Sequence, residues 1–384
     1  NHEYNNIAGV YGAIRHIRLV SNGVELDAMR FANRYLAWRN LLNSNRDNES
    51  VNRKLAKHQL GFQIQPTGHE VSAGRSGAEN TTGTARDEAK LGHLDLRLCL
   101  PLLENMPVLD TAVFKNLILE IEWETDVRRL ITRDNVAQTI QTPILIAEEI
   151  TSPSLRASLT KGFTGAVYNK VEHDVVNIAQ ITNPAGAGDT NEVNSVQQLN
   201  AFDDKFVSRL ILMKTFSDKS KYVDTNVVEG FGDFGSLTPH KEKIQLKLNG
   251  ANIFPAPLEH PSTKAMMTFD AWGKVNLPPY AMNESVGADR DGSPQANLSG
   301  AVPPKDANNK SRGLVGAGGF FGCSLNTKVG TLSLDYTRTA VNNATASKPD
   351  QDALDVHAYA ECRKAIQINS NGSFVISTGI IFIG

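Results

Sequence analysis

Short runs in which apolar and polar residues strictly alternate are the feature that most constrains this chain. Leu117, Leu119, Ile121 and Trp123 fall on one side of an extended backbone, and Glu120, Glu122 and Glu124 on the other. A period of two is the signature of a strand that buries one face. The same period runs through Leu94 to Leu100, Ile244 to Leu248, Leu332 to Tyr336 and Ile366 to Ile368. Asn22-Gly23, Asn249-Gly250 and Asn371-Gly372 sit beside such runs and supply the positive backbone angles that tight hairpins need. The pattern predicts an all-β protein.

One stretch departs from it. From Asp27, a candidate N-cap, Phe31, Tyr35, Trp38 and Leu42 recur at helical spacing, and an aromatic stripe of this kind is read as a packing face. Pro101 to Pro107 reads as a short turn or helix joining two strands. Residues 65–92 and 281–313 are rich in Gly, Ser and Pro and poor in large apolar groups, so both are expected to be long surface loops. The run Gly313 to Gly322 does not satisfy GxGxxG, and its glycines are expected to let the backbone bend or approach closely before a strand.

The order of elements repeats weakly. Ile14 to Gly23 resembles Lys243 to Gly250, Leu117 to Trp123 corresponds to Leu332 to Tyr336, and Ile144 to Ile150 to Val356 to Glu361. Two copies of one β-domain would leave such a trace. The length of 384 residues also fits two domains of roughly 150–200 residues. The division predicted is 1–200 and 201–384, with Phe206 to Phe216 opening the second copy.

Composition excludes several function classes. With 39 basic against 41 acidic residues and no basic cluster, the chain lacks the positive face that displaces counterions from nucleic acid. Three scattered cysteines, Cys99, Cys323 and Cys362, make neither a disulfide framework nor a zinc site and fit a reducing compartment. No apolar run reaches the ~20 residues of a membrane-spanning helix, and no secretory signal is read at the start. The sequons at Asn80 and Asn297 are then chance occurrences in an Asn-rich chain.

A search for chemistry finds no P-loop, no GxSxG elbow and no HExxH pair, so no catalytic, cofactor-binding or metal-ligating residue is assigned. The strongest enzymatic candidates are Glu120, Glu122 and Glu124, with Glu148-Glu149 downstream. Alternate positions on a strand lie ~6–7 Å apart, within the separation that glycosidases use. A row of like charges without a partner of raised pKa reads instead as a solvated or interface face. Trp123 falls on the apolar face of the same strand, which argues against a sugar platform.

Specific residues carry a family resemblance. Gly12 to Leu19, the Asn22-Gly23 turn and the aromatic stripe around Tyr35 and Trp38 resemble the opening of double jelly-roll capsid proteins. Leu96 to Leu103, then Met106 to Leu109 and Phe114 to Leu117, resemble a strand–turn–strand of major capsid proteins from adintoviruses and other Polinton-like viruses. Gln141 to Ile146 and Leu354 to Glu361 fit the same family.

The resemblance implies two consecutive eight-stranded jelly rolls with short helices and long loops. It implies a non-enzymatic subunit, three copies of which form a pseudo-hexagonal capsomer in the icosahedral shell of a double-stranded DNA virus. The expected location is the virion, after synthesis in the host cytoplasm or nucleus. The expected partners are neighbouring capsomers, penton and minor capsid proteins, with an inner membrane left open and no sequence-specific nucleic acid. A carbohydrate-binding or carbohydrate-hydrolysing β-sandwich is the competing reading, and a secreted adhesion module a third.

Overall fold

The protein is described here from a computed structural model, in residues 9–43, 92–106, 108–125, 142–162, 165–182, 186, 188–217, 241–259, 261–272, 320–341, 353–369 and 372–378. In chain order the first elements are β1 (Ile14–Ser21), β2 (Val24–Arg30), α1 (Ala32–Asn43), α2 (Leu96–Cys99), α3 (Pro101–Asn105), β3 (Leu117–Trp123), α4 (Pro153–Gly162) and β4 (Gly165–Ile178). There follow β5 (Thr190–Gln198), β6 (Phe206–Phe216), β7 (Lys241–Leu248), β8 (Ala251–Asn252), α5 (Pro261–Trp272), β9 (Phe320–Lys328), β10 (Leu332–Val341), β11 (Leu354–Ile368) and β12 (Phe374–Thr378). The fold is all-β with a few short helices.

These strands form three layers. The first sheet runs β2-β1-β3 and the third β5-β10-β7-β8. Between them lies a sheet built on β11, which pairs with β4 along one edge and with β6 and then β12 along the other, β9 completing it beyond β6. Leu210 and Leu212 of β6 enter the core shared with the third sheet, whereas Ile211 and Met213 enter the core shared with the first. On β11, Val356, Ala358 and Ala360 face the third sheet and Tyr359 faces the first. Leu210 to Met213 of β6 and Val356 to Cys362 of β11 are thus buried on both faces of the sheet, which explains the unbroken run Leu210-Ile211-Leu212-Met213: strands enclosed on two sides lose the polar half of the alternation. Pairing crosses residue 200 twice, in β4 with β11 and β5 with β10, so the two cores are held as one body.

The local chemistry at the chain's first hairpin matches its sequence. Asn22 (φ 48°) and Gly23 (φ 77°) are both left-handed, the arrangement that joins β1 to β2 with the native twist. Gly322 of β9 is equally constrained, since an added Cβ would lie 2.9 Å from the Trp272 ring and 3.3 Å from the Leu210 carbonyl oxygen. That is the close approach expected of the glycine-rich run, whose residues 313–319 lie outside the described residues. So do residues 65–91 and 281–313, the two expected loops.

Three expectations are corrected. Leu94 to Leu100 is not a strand: Leu96–Cys99 is a helical turn whose N-cap Asp95 accepts from the Arg97 backbone N–H, with Pro101 opening the next helix. Alternation over so few residues does not separate a strand from one helical turn, and the cap decided it. Asp27 is no N-cap but a buried residue of β2, its carboxylate accepting from the backbone N–H groups of Leu102 and Ala28. Finally, Ile144 to Ile150, the expected counterpart of Val356 to Glu361, forms no strand, and its residues 144–149 are exposed.

On β3 the facing of the alternation holds. Leu117, Leu119, Ile121 and Trp123 pack against the first core, though each is partly rather than fully buried, and Ile118 and Glu122 are exposed. Leu119→Asp places a charge against that core without a partner, and a loss of about 2 kcal/mol or more in unfolding free energy is expected by urea titration. Glu120→Ala removes only an exposed ion pair, so a change under about 1 kcal/mol is expected. The reverse ranking would show that the strand faces the other way.

Candidate functional site

A polar cluster lies where the middle sheet meets the first. Phe31 is held at φ 48° between β2 and α1, a costly angle for an aromatic residue that its surroundings fix. Its N–H donates to His16 Nδ1 at 3.1 Å, and its carbonyl accepts from the Tyr359 hydroxyl at 2.9 Å. Its ring meets those of His16, His173 and His357 at 4.9–5.3 Å, and the Arg15 and Arg34 guanidinium groups lie over it at 5.5 and 5.2 Å. His173 and His357 stack with their nitrogens Nε2 and Nδ1 3.0 Å apart. One must donate and the other accept, which neutral imidazoles satisfy.

Burial holds two of these histidines below their ordinary range. His173 is pushed down to about 3, first by burial and then by Arg34, His16 and Arg30, and His16 is lowered by burial against the opposing pull of Glu122. A histidine depressed in the folded state leaves stability untouched above its ordinary 6.5. Below that pH the unfolded chain takes up a proton that the folded chain refuses, so stability falls, at about 1.4 kcal/mol per pH unit for one such group. Urea midpoints at pH 7 and pH 5 should therefore fall more steeply for the wild type than for His173→Gln. Equal slopes would show that His173 is not held neutral.

Beside it, the Tyr35 hydroxyl donates to Glu361 Oε1 at 2.9 Å, and Arg209 reaches Glu361 Oε2 through Nε (2.9 Å) and its terminal nitrogen (2.6 Å). Arg209 also lies over the Trp272 ring at 4.8 Å. α1, β6, β11 and α5 are thereby tied at one point. A second network links β2 to the middle sheet: Lys170 meets Glu25 at 2.7 Å and Glu172 at 3.5 Å, and Glu172 also meets Lys205 and Lys364. Asp27 nearby is raised to about 7 because burial outweighs its two backbone hydrogen bonds.

The carboxylates singled out in the sequence are spread over different tasks. Glu120 pairs with Arg18, and Glu122 with Arg15 at 3.2 Å, on the outer face of the first sheet. Glu124 leaves that face: it follows the strand's end, is buried, and accepts from Asn33 Nδ2 at 2.9 Å. Glu148 and Glu149 are exposed on the segment after residue 142. All three cysteines are buried thiols, and burial pushes Cys323 and Cys362 up to about 12, the unreactive condition. Among the described residues no three His, Cys, Asp or Glu side chains are placed to share a metal ion. The histidine stack was not read from the sequence, because His173 and His357 are far apart in the chain and meet only through the β4–β11 register.

No family model matches the chain, and no curated protein matches it. Among solved structures it is similar to the mavirus major capsid protein, at 9% identity over 99% of this chain and 82% of that one, with a TM-score of 0.48. It is similar to PBCV-1 VP54 fitted into a reconstruction of the virophage Sputnik, at 11% identity over 99% and 87%, with a TM-score of 0.49. It is also similar to the PBCV-1 virus capsid, at 12% identity over 99% and 87%, with a TM-score of 0.44.

Proposed function

We propose that this chain is a major capsid protein, a structural subunit without catalytic activity. The observation that carries the reading is the middle sheet. Two β-cores joined through one sheet whose centre is buried on both faces make a single block with room for different loops at either side, which is what a repeating shell element requires. The titratable clusters agree with it, since their charges and hydrogen bonds are spent on tying elements together.

The finer reading rests on the sequence resemblance to double jelly-roll capsid proteins, nearest to those of adintoviruses and other Polinton-like viruses. Two jelly-roll units, divided near residue 200 with β4 and β5 reaching across, give each chain two similar flanks, and three chains then fill a hexagonal site. The subunit sits in the virion, in contact with neighbouring capsomers and with penton and minor proteins. Light scattering on the purified protein should give three times the chain mass of 41.8 kDa. A stable monomer across concentration and salt would count against the trimer.

A further inference from the structure

Residues 142–150 form an arm that the rest of the described protein leaves alone. Ile144, Leu145 and Ile146 are 87, 66 and 81% exposed, although they are consecutive and so would cover both faces of an extended segment. Among the described residues none pairs with the backbone of 142–150. The arm continues into α4, where Leu155 and Leu159, one turn apart, are exposed as well. An extended segment that is apolar on both faces is stable when enclosed on two sides, and an exposed apolar patch of this kind marks an interaction site.

Elsewhere on the same molecule lies an open groove of about 560 Å³, between the β1–β2 turn and β12. Val24, Val113, Phe374 and Ile376 supply its apolar lining, and Asn22, Lys115, Gly372 and Ser373 its polar lining. Val24 is 47% exposed, so this lining is open in the single chain.

We propose that the Ile144–Ile146 run of one copy seats in this groove on a second copy of the chain. The charges agree: Glu148 and Glu149 follow the apolar run by two and three positions and meet the cation Lys115. A groove also encloses both faces of the run, which a flat lipid surface does not, and an anionic membrane would repel the two carboxylates. Because arm and groove are different patches, the contact is head-to-tail and closes into a ring when the rotation allows it. The inference rests on the capsid reading for its ring of three; the contact itself does not require it.

The test uses the full-length protein. Leu145→Cys in one tagged pool and Val24→Cys in another, mixed and oxidised, should give disulfide-linked chains from both pools, with the native buried cysteines silent. Ile144→Asp with Ile146→Asp should lower the mass from three chains to one while leaving the far-UV circular dichroism of the folded chain unchanged, since both residues are exposed in the single chain. Several outcomes would overturn the proposal: no inter-pool link, a link confined to single chains, a variant that stays trimeric, a variant that unfolds, or arm-dependent binding to anionic vesicles. A variant that stays trimeric sinks the arm and leaves the capsid reading standing. A wild type that is monomeric throughout sinks that reading, and the pooled cross-link at high concentration then decides the arm alone.

Discussion

Replacing Tyr359 with Ala should cost about 3–5 kcal/mol, the range for deleting a buried aromatic side chain, and should leave the protein largely insoluble. Tyr359 is fully buried at the middle of β11. Its ring lies 4.7 Å from that of His173 and 5.5 Å from that of Tyr35, and its hydroxyl holds the Phe31 carbonyl. Removing it opens a cavity beneath both the histidine stack and α1. Tyr359→Phe keeps the ring and loses one hydrogen bond, so about 1 kcal/mol is expected. Val375→Ala, at an exposed position of β12, should change little. Urea unfolding of the three variants gives the ranking, and a Tyr359→Ala protein as stable as Val375→Ala would mean that the cores do not meet at β11.

Glu361→Ala is the second large effect. It removes the carboxylate to which the Tyr35 hydroxyl donates and with which Arg209 pairs. Breaking a buried pair costs about 3–5 kcal/mol, and the lower end applies because the Arg209 side chain keeps 31% exposure. The physical content of the claim is that the loss comes from stranded partners, not from the pair's own attraction. Replacing both charges together, Glu361→Leu with Arg209→Met, removes the stranded cation and should recover most of the loss. A double variant that is no better than Glu361→Ala would place the cost elsewhere.

How far the sequence could be read depended on which faces a strand buries. The outer sheets keep one solvated face, so β3, β7 and β10 show their alternation openly, and the Glu120 and Glu122 side was assigned correctly. The centre of the middle sheet has no solvated face: Leu210 to Met213 carry no period, and nothing in the local pattern says that β4 and β5 pair across residue 200. Leu96–Cys99 was misread because one helical turn and a short strand share the same apolar spacing. Ile144 to Ile150 matches Val356 to Glu361 in its place along the repeat, and order along the chain does not say whether a segment pairs. Of the polar cluster only the aromatic stripe was legible, through Phe31 and Tyr35; its histidines and Glu361 are brought together by sheet register, which a single sequence does not display.

The central claim is that this chain builds a shell. Negative-stain microscopy of the purified protein tests it most directly. The expected result is uniform particles of three chains with a six-sided outline, which associate edge to edge as concentration rises. Isolated single-chain particles with no hexagonal outline at any concentration would contradict it.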